Sequence, residues 1–164
     1  FDELSNFYKE KIAVLRKEIE DEHLSVLNNQ YTFIGNDLLL GLSDYLTSQY
    51  PEANYISVDN DCVQEIIDNL NNDTINHNCV LCLDNQCIIT NEDLIQIIEN
   101  SNDRQLYFVD IGHDIENVQN ENFHIINASL VLNDECYSYD FIHLNEIGNN
   151  KLYSLIINTI EKSD

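Results

Sequence analysis

The sequence predicts a three-layer α/β/α domain with about five mainly parallel strands. Segments typical of strands alternate with segments typical of helices along most of the chain, and some of the strand segments are apolar at every position. Such apolar strands are typical of a parallel sheet that helices cover on both faces. The 164 residues suffice for one domain of ordinary size.

Five strands are predicted from short apolar runs, and helices are predicted between them from apolar residues that recur on one face. The strands are expected over residues 31–34, 54–58, 79–83, 105–111 and 123–126. The helices are expected over residues 38–50, 62–70, 92–99 and 146–162. Pro51 is expected to stop the first of these helices.

Residues 2–27 are predicted to form one long helix ahead of the first strand. Its apolar residues recur at alternating steps of four and three, with an interruption at Glu22: Tyr8, Ile12, Leu15, Ile19 and Val26. This spacing makes a narrow apolar stripe, which suits a coiled-coil neck and equally suits packing along the helix's own domain. We therefore divide the chain into a helix or neck at 1–29 and a domain at 30–164.

The charge of the chain limits its partners. There are 30 acidic and seven basic residues, which gives a formal net charge of −23. Nucleic acids and anionic lipid headgroups would be repelled by such a surface, so no nucleic-acid partner is expected. The hydrophobic fraction of 43% is too high for a disordered acidic tail. Because the sequence starts at Phe1 and contains no Met, we expect it to be a piece of a longer protein.

The five cysteines do not form a complete disulfide framework, because their number is odd. Cys79 and Cys82 are spaced as in metal and redox motifs, but residues three apart in a strand point to opposite faces. We therefore interpret both as small buried hydrophobic residues. Cys87 and Cys136 fall in predicted loops, where each is a candidate for a reactive or a paired thiol. Cys62 begins a predicted helix.

Three segments carry a resemblance to a known family, in the right order. Residues 33–41 (FIGNDLLLG), 79–90 (CVLCLDNQCIIT) and 139–148 (YDFIHLNEIG) resemble the first, third and last blocks of the SGNH (GDSL-type) esterases. Their order and spacing are especially similar to the extracellular SGNH domain of bacterial peptidoglycan O-acetyltransferases. The resemblance covers roughly residues 31–160 and implies a flavodoxin-like SGNH fold.

The resemblance also implies catalytic positions. In the family, a serine of the first block is the nucleophile, a histidine of the last block is its base, and an aspartate three residues earlier orients the imidazole. His143 and Asp140 match the base and its orienting residue. The nucleophile position, however, is occupied by Asp37.

The positions of the oxyanion hole depart from the family in the same direction. Asp59 stands where a glycine is usual, and Gln86 stands where an asparagine is usual. Asp84, two residues before Gln86, replaces another glycine. Carboxylates at 59 and 84 would repel a developing oxyanion, and loss of the nucleophile in a comparable triad costs on the order of 10⁶ in kcat. The sequence therefore predicts a catalytically degenerate member of this family.

Each of these residues also has a structural interpretation. Asp37 precedes a helix and would serve as its N-cap, which we favour over a catalytic role. Asp140 and His143 could persist as a hydrogen-bonded pair that holds the last loop. A less favoured hypothesis is that Asp37, Asp59, Asp84 and Asp140 converge on a Ca²⁺ or Mg²⁺ ion. Another is that Cys87 has replaced the serine as nucleophile. We predict no cofactor and no metal.

The resemblance implies a place at the extracellular face of a bacterial membrane. There the domain would bind cell-wall or surface glycan, or regulate its O-acetylation, together with a membrane-embedded acyltransferase half of the same or a partner chain. The alternative is an active O-acetyltransferase or esterase with an altered nucleophile, or one whose serine has been replaced by Asp37. A third hypothesis is a structural module that forms a homo-oligomer through residues 2–27.

Overall fold

The computed structural model describes residues 2–28, 31–72, 74–116 and 118–162. It contains a five-stranded sheet of order β2-β1-β3-β4-β5, in which every neighbouring pair is parallel. The strands are β1 (Tyr31–Gly35), β2 (Asn54–Ser57), β3 (Asn78–Cys82), β4 (Gln105–Asp110) and β5 (Phe123–Asn127). The predicted fold class is confirmed, and the five strands lie within a residue or two of the predicted ranges.

Within the described residues, five α-helices connect and flank these strands. They are α1 (Asp2–Asn28), α2 (Asp37–Gln49), α3 (Val63–Leu70), α4 (Asn91–Glu99) and α5 (Glu146–Lys162). Local capping fixes several of the boundaries: α4, for example, begins after a capping box in which Thr90 and Asp93 exchange side-chain-to-backbone hydrogen bonds. Two short 3-10 turns, Ala128–Leu130 and Asp134–Cys136, lie between β5 and α5.

The sheet separates two hydrophobic cores. The core on one face is formed with α2 and α5, and the core on the other face with α3 and α4. Cys82 belongs to the first core and Cys79 to the second, so the two thiols point to opposite faces as predicted. Both are free and fully buried, and burial raises the pKa of each thiol to about 12. They pack as small hydrophobic residues.

A disulfide joins Cys62 to Cys87, two cysteines that the sequence did not pair. Cys62 lies at the N-cap of α3 and Cys87 in the loop after β3, and both are buried. The hypothesis that Cys87 is a substitute nucleophile is therefore wrong, because a disulfide sulfur has no thiolate to offer. Cys136 is free but buried, so its loop does not present it to solvent.

The apolar stripe of α1 is exposed. The exposed fractions of Tyr8, Ile12, Leu15 and Ile19 are 57%, 50%, 51% and 65%. The alternative in which this stripe packs along its own domain is therefore wrong for residues 8–19. Among the helices of the described segments, α1 included, none has both the length and the apolar character needed to cross a bilayer.

Candidate active site

The candidate site lies at the carboxyl edge of the sheet. The loops that follow β1 and β3 meet there with the loop that precedes α5, as is usual for ligand sites of open parallel sheets. Asp37, Asp84 and His143 each place a polar atom within 4.8 Å of the others. A cavity of about 370 Å³ opens beside them, and its wall includes Leu40 and Ile142.

His143 is held between two carboxylates. Its Nε2 lies 3.1 Å from Oδ2 of Asp37, and its Nδ1 donates to Oδ2 of Asp140. The other oxygen of Asp140 accepts the backbone N–H groups of Ile142 (2.9 Å) and His143 (3.0 Å). The structure thus brings together the three residues that the sequence placed in the nucleophile, orienting and base positions.

This arrangement favours the doubly protonated imidazole. A carboxylate only accepts hydrogen bonds, so each ring nitrogen of His143 needs a proton to bond to its partner. The hydrogen bond to Asp140 and then the one to Asp37 raise the pKa of His143 above its ordinary value. In turn, the hydrogen bonds from the side chain and backbone of His143 lower the pKa of Asp140 to about 2. A raised pKa favours the protonated form of His143, and that form cannot accept a proton from a nucleophile.

Asn36 organises the base of the site. It is the N-cap of α2, with Oδ1 accepting from the backbone N–H of Leu38 at 3.3 Å and of Asp84 at 3.1 Å. Its Nδ2 donates to Oδ1 of Asp84 at 2.9 Å and to Oδ1 of Asn60 at 3.1 Å. The prediction that Asp37 caps the helix is wrong: Asn36 does so, and Asp37 is the first helical residue, with its carboxylate free to reach His143.

Asp84 and Gln86 form a second hydrogen-bonded unit. Asp84 is 2% exposed, and its Oδ1 accepts the backbone N–H of Gln86 at 2.9 Å. The side-chain amide nitrogen of Gln86 lies 3.4 Å from Oδ2 of Asp84 and 3.3 Å from Nε2 of His143. The backbone N–H groups of both residues are therefore bonded to side chains of the protein and are not available to a ligand.

Comparison with solved structures relates the fold of the chain to a known fold. The chain is similar to a GDSL-like lipase from Bacteroides thetaiotaomicron, with a TM-score of 0.58 and 14% sequence identity over 84% of this chain and 90% of the lipase chain. The chain has a GDSL-like lipase fold. No family model matches the sequence, and no curated protein matches it.

Asp59 takes a different place in this GDSL-like fold from Gln86. Gln86 contacts His143. Asp59, by contrast, is exposed after β2. The side chain of the next residue, Asn60, accepts a hydrogen bond from Asn36. Sequence reasoning missed the roles of Asn36 and Asn60. The signal was present for Asn36, because an asparagine directly after a buried strand and before a helix is a favoured N-cap.

The acidic residues at this edge converge only in part. The group that could hold a metal ion is Asp37, Asp84 and His143, while Asp140 lies on the far side of the imidazole and Asp59 is not a member. The four-carboxylate cation site that we considered from the sequence is therefore not formed by the described residues. His143 lies between Asp37 and Asp140, and their hydrogen bonds raise the pKa of its imidazole.

Proposed function

We propose that this domain is a catalytically degenerate SGNH-like module that binds or regulates the O-acetylation of a cell-wall or surface glycan. Its partner would be a membrane-embedded acyltransferase half of the same or another chain. The observation that carries the proposal is the contact of His143 with Asp37, because it puts a carboxylate where acyl transfer needs a hydroxyl. The likeness in fold to a GDSL-like lipase supports the comparison of positions.

The chemistry of the site argues against ordinary ester cleavage. A carboxylate is a weak nucleophile towards esters, and its attack would give an anhydride that readily returns to the starting ester. The hydrogen bonds to Asp140 and Asp37 raise the pKa of His143, which makes the imidazole a poorer match for a general base that must accept a proton. Asp84 adds a buried carboxylate where negative charge would develop in the transition state.

The surroundings of the cavity support a role in binding. Tyr139 is fully exposed and Phe141 is 76% exposed, and both flank Asp140 in the loop that carries His143. Phe141 has a φ of +57°, a left-handed conformation that is costly for a bulky residue and that concentrates at functional sites. Exposed aromatic rings next to carboxylates offer apolar faces and hydrogen-bond acceptors, which is the chemistry that a sugar ring requires.

The disulfide supports an extracellular location. Bonded cysteines persist in oxidising compartments and are rare in the cytosol, where thiols are kept reduced. Cys62 and Cys87 are bonded and buried within the α3/α4 core. An exported domain is the setting in which this bond would form and remain.

A chromogenic acetyl ester tests the loss of catalysis. We expect no turnover above buffer by the protein itself, because Asp37 stands where the hydroxyl nucleophile is needed. Asp37→Ser and the double variant Asp37→Ser/His143→Ala should be assayed beside it. Weak turnover that appears in Asp37→Ser and disappears with His143→Ala supports the proposal, since it would show that the missing hydroxyl is one cause of the loss of catalysis and that His143 can still act as its base.

Turnover by the unchanged protein that is lost in His143→Ala would overturn the proposal. That outcome would favour the alternative, an active esterase or O-acetyltransferase with an altered nucleophile. The retained pairing of Asp140 with His143 is the observation on which the alternative rests.

Cosedimentation with purified, O-acetylated peptidoglycan tests the binding role. We expect binding that weakens in Tyr139→Ala/Phe141→Ala. Ile95→Ala is the matched control, because Ile95 is an exposed apolar residue on α4, away from this loop. Equal binding by all three proteins would exclude this loop as the glycan site.

A further inference from the structure

The apolar stripe of α1 lacks a counterpart in the described part of the chain. Four stripe residues, Tyr8, Ile12, Leu15 and Ile19, are each at least 50% exposed although they recur at heptad spacing. We propose that α1 pairs with α1 of a second copy of this chain in a two-stranded coiled coil. Ile12 and Ile19 would occupy a positions and Leu15 a d position, the combination that favours two strands.

The shape of the stripe favours a helical partner. At 100° per residue, the four side chains fall within an arc of about 60°, which is the width of a coiled-coil seam and narrower than the face that a helix needs to lie on a core or a membrane. Charged residues border the arc, with Lys9 and Arg16 on one side and Glu18 on the other. These borders match the polar e and g positions of a coiled coil.

The distribution of charge makes α1 the region where two copies can best approach each other. Seven of the 30 acidic residues and four of the seven basic residues lie in residues 2–28. The charge of α1 is therefore −3, and the rest of the chain carries −20. Contact through the domain surface would bring two strongly negative bodies together, whereas contact through α1 brings together segments of mixed sign.

Sedimentation of the full chain between about 1 and about 100 µM tests the pairing, since this range brackets the affinity expected of a short coiled coil. We expect a monomer–dimer equilibrium that added salt shifts towards the dimer, because salt screens the net repulsion. Ile12→Ala/Leu15→Ala should raise the dissociation constant by about tenfold or more. Alanine maintains helix propensity, so circular dichroism should show the same fold.

Phe7→Ala/Val14→Ala is the matched control. Phe7 and Val14 are 55% and 57% exposed, like the stripe residues, but lie on a different face of the same helix. We expect the control to change the dissociation constant by less than about twofold. A monomer at every concentration would overturn the proposal. Equal changes of the dissociation constant in the stripe variant and the control variant would overturn it too. Binding to anionic vesicles that requires Ile12 and Leu15, with no dimer, would also overturn it.

Discussion

Helices α1 and α5 have similar apolar spacing and opposite surroundings. In α5, Leu152, Ile156 and Ile160 recur every four residues and are completely buried against α2 and the sheet. In α1, Ile12 and Ile19 belong to an equally regular stripe and remain at least half exposed. A periodic pattern thus determines which face of a helix is apolar, but the partner of that face depends on the rest of the fold or on another molecule.

The largest expected difference between the two helices concerns truncation of an isoleucine. Ile156→Ala should lower the free energy of unfolding by about 4 kcal/mol, because it removes buried methyl groups and leaves a cavity. Ile12→Ala should change it by less than about 0.5 kcal/mol for the monomer, because the side chain is half exposed. Urea denaturation at low protein concentration measures both. Similar losses of unfolding free energy in the two variants would contradict the expected difference between α5 and α1.

The disulfide should stabilise the domain while leaving α1 unaffected. Cys62→Ala/Cys87→Ala removes a crosslink between residues 25 apart, which costs about 3 kcal/mol by loop-closure entropy. Thermal unfolding with and without a reducing agent provides the measurement and its control, since reduction should lower the midpoint of the unchanged protein and not that of the variant. A midpoint insensitive to reduction would exclude a structural role for the bond.

A close backbone contact distinguishes α5 further. A Cβ at Gly148 would lie 2.3 Å from the backbone oxygen of Cys136, so the helix and the preceding 3-10 turn approach more closely than a side chain allows. Gly148→Ala should destabilise the fold by about 2 kcal/mol through overpacking. Ser154→Ala, at an exposed position of the same helix, should change stability by less than about 0.5 kcal/mol. Denaturant titrations of both variants make the comparison.

Hydrogen exchange should separate α1 from α5 without a substitution. At low concentration we expect the amides of α1 to exchange faster than those of α5, since fraying helices open without unfolding the core. Protection of α1 should rise with protein concentration if its stripe pairs between copies. Equal and concentration-independent protection would contradict the expected difference between α1 and α5.

The smallest expected effect is the pH dependence of stability that His143 contributes in the loop before α5. Because the folded pKa of His143 is raised, its contribution to stability is complete below its unfolded pKa of about 6.5 and is lost as the pH rises through the folded value. Asp37→Asn should bring the pKa of His143 down and weaken this pH dependence. A ring-proton NMR titration of both proteins measures the change, and an unshifted pKa would contradict the imidazolium assignment.

The fold was largely predictable because each strand and helix of the domain carries its own local signal. Runs such as 79–83 have no polar residue, and the stripe of α5 is regular enough to define its buried face. The disulfide was not predictable, since no local signal relates Cys62 to Cys87 across 25 residues. Their proximity arises from the packing of α3 beside the loop after β3.

The sequence indicated which positions form the candidate site, but it did not indicate all of the hydrogen bonds between them. The blocks around Asp37, Gln86 and His143 indicated which loops meet, and these three side chains do lie together. The cap was misassigned because Asn36 and Asp37 are both good N-cap residues, and only the backbone decides which one precedes the helix. The bonding of Asn36 to Asp84, 48 residues away, has no trace in local sequence.

The bonds between Asn36 and Asp84 also bear on how the chain could evolve. A single exchange at position 37 would supply a hydroxyl, yet the amides of Asp84 and Gln86 would still be engaged with side-chain oxygens. A substitution at position 37 alone would leave those hydrogen bonds in place. The contacts that stabilise this edge of the sheet are therefore the same ones that occupy its backbone donors.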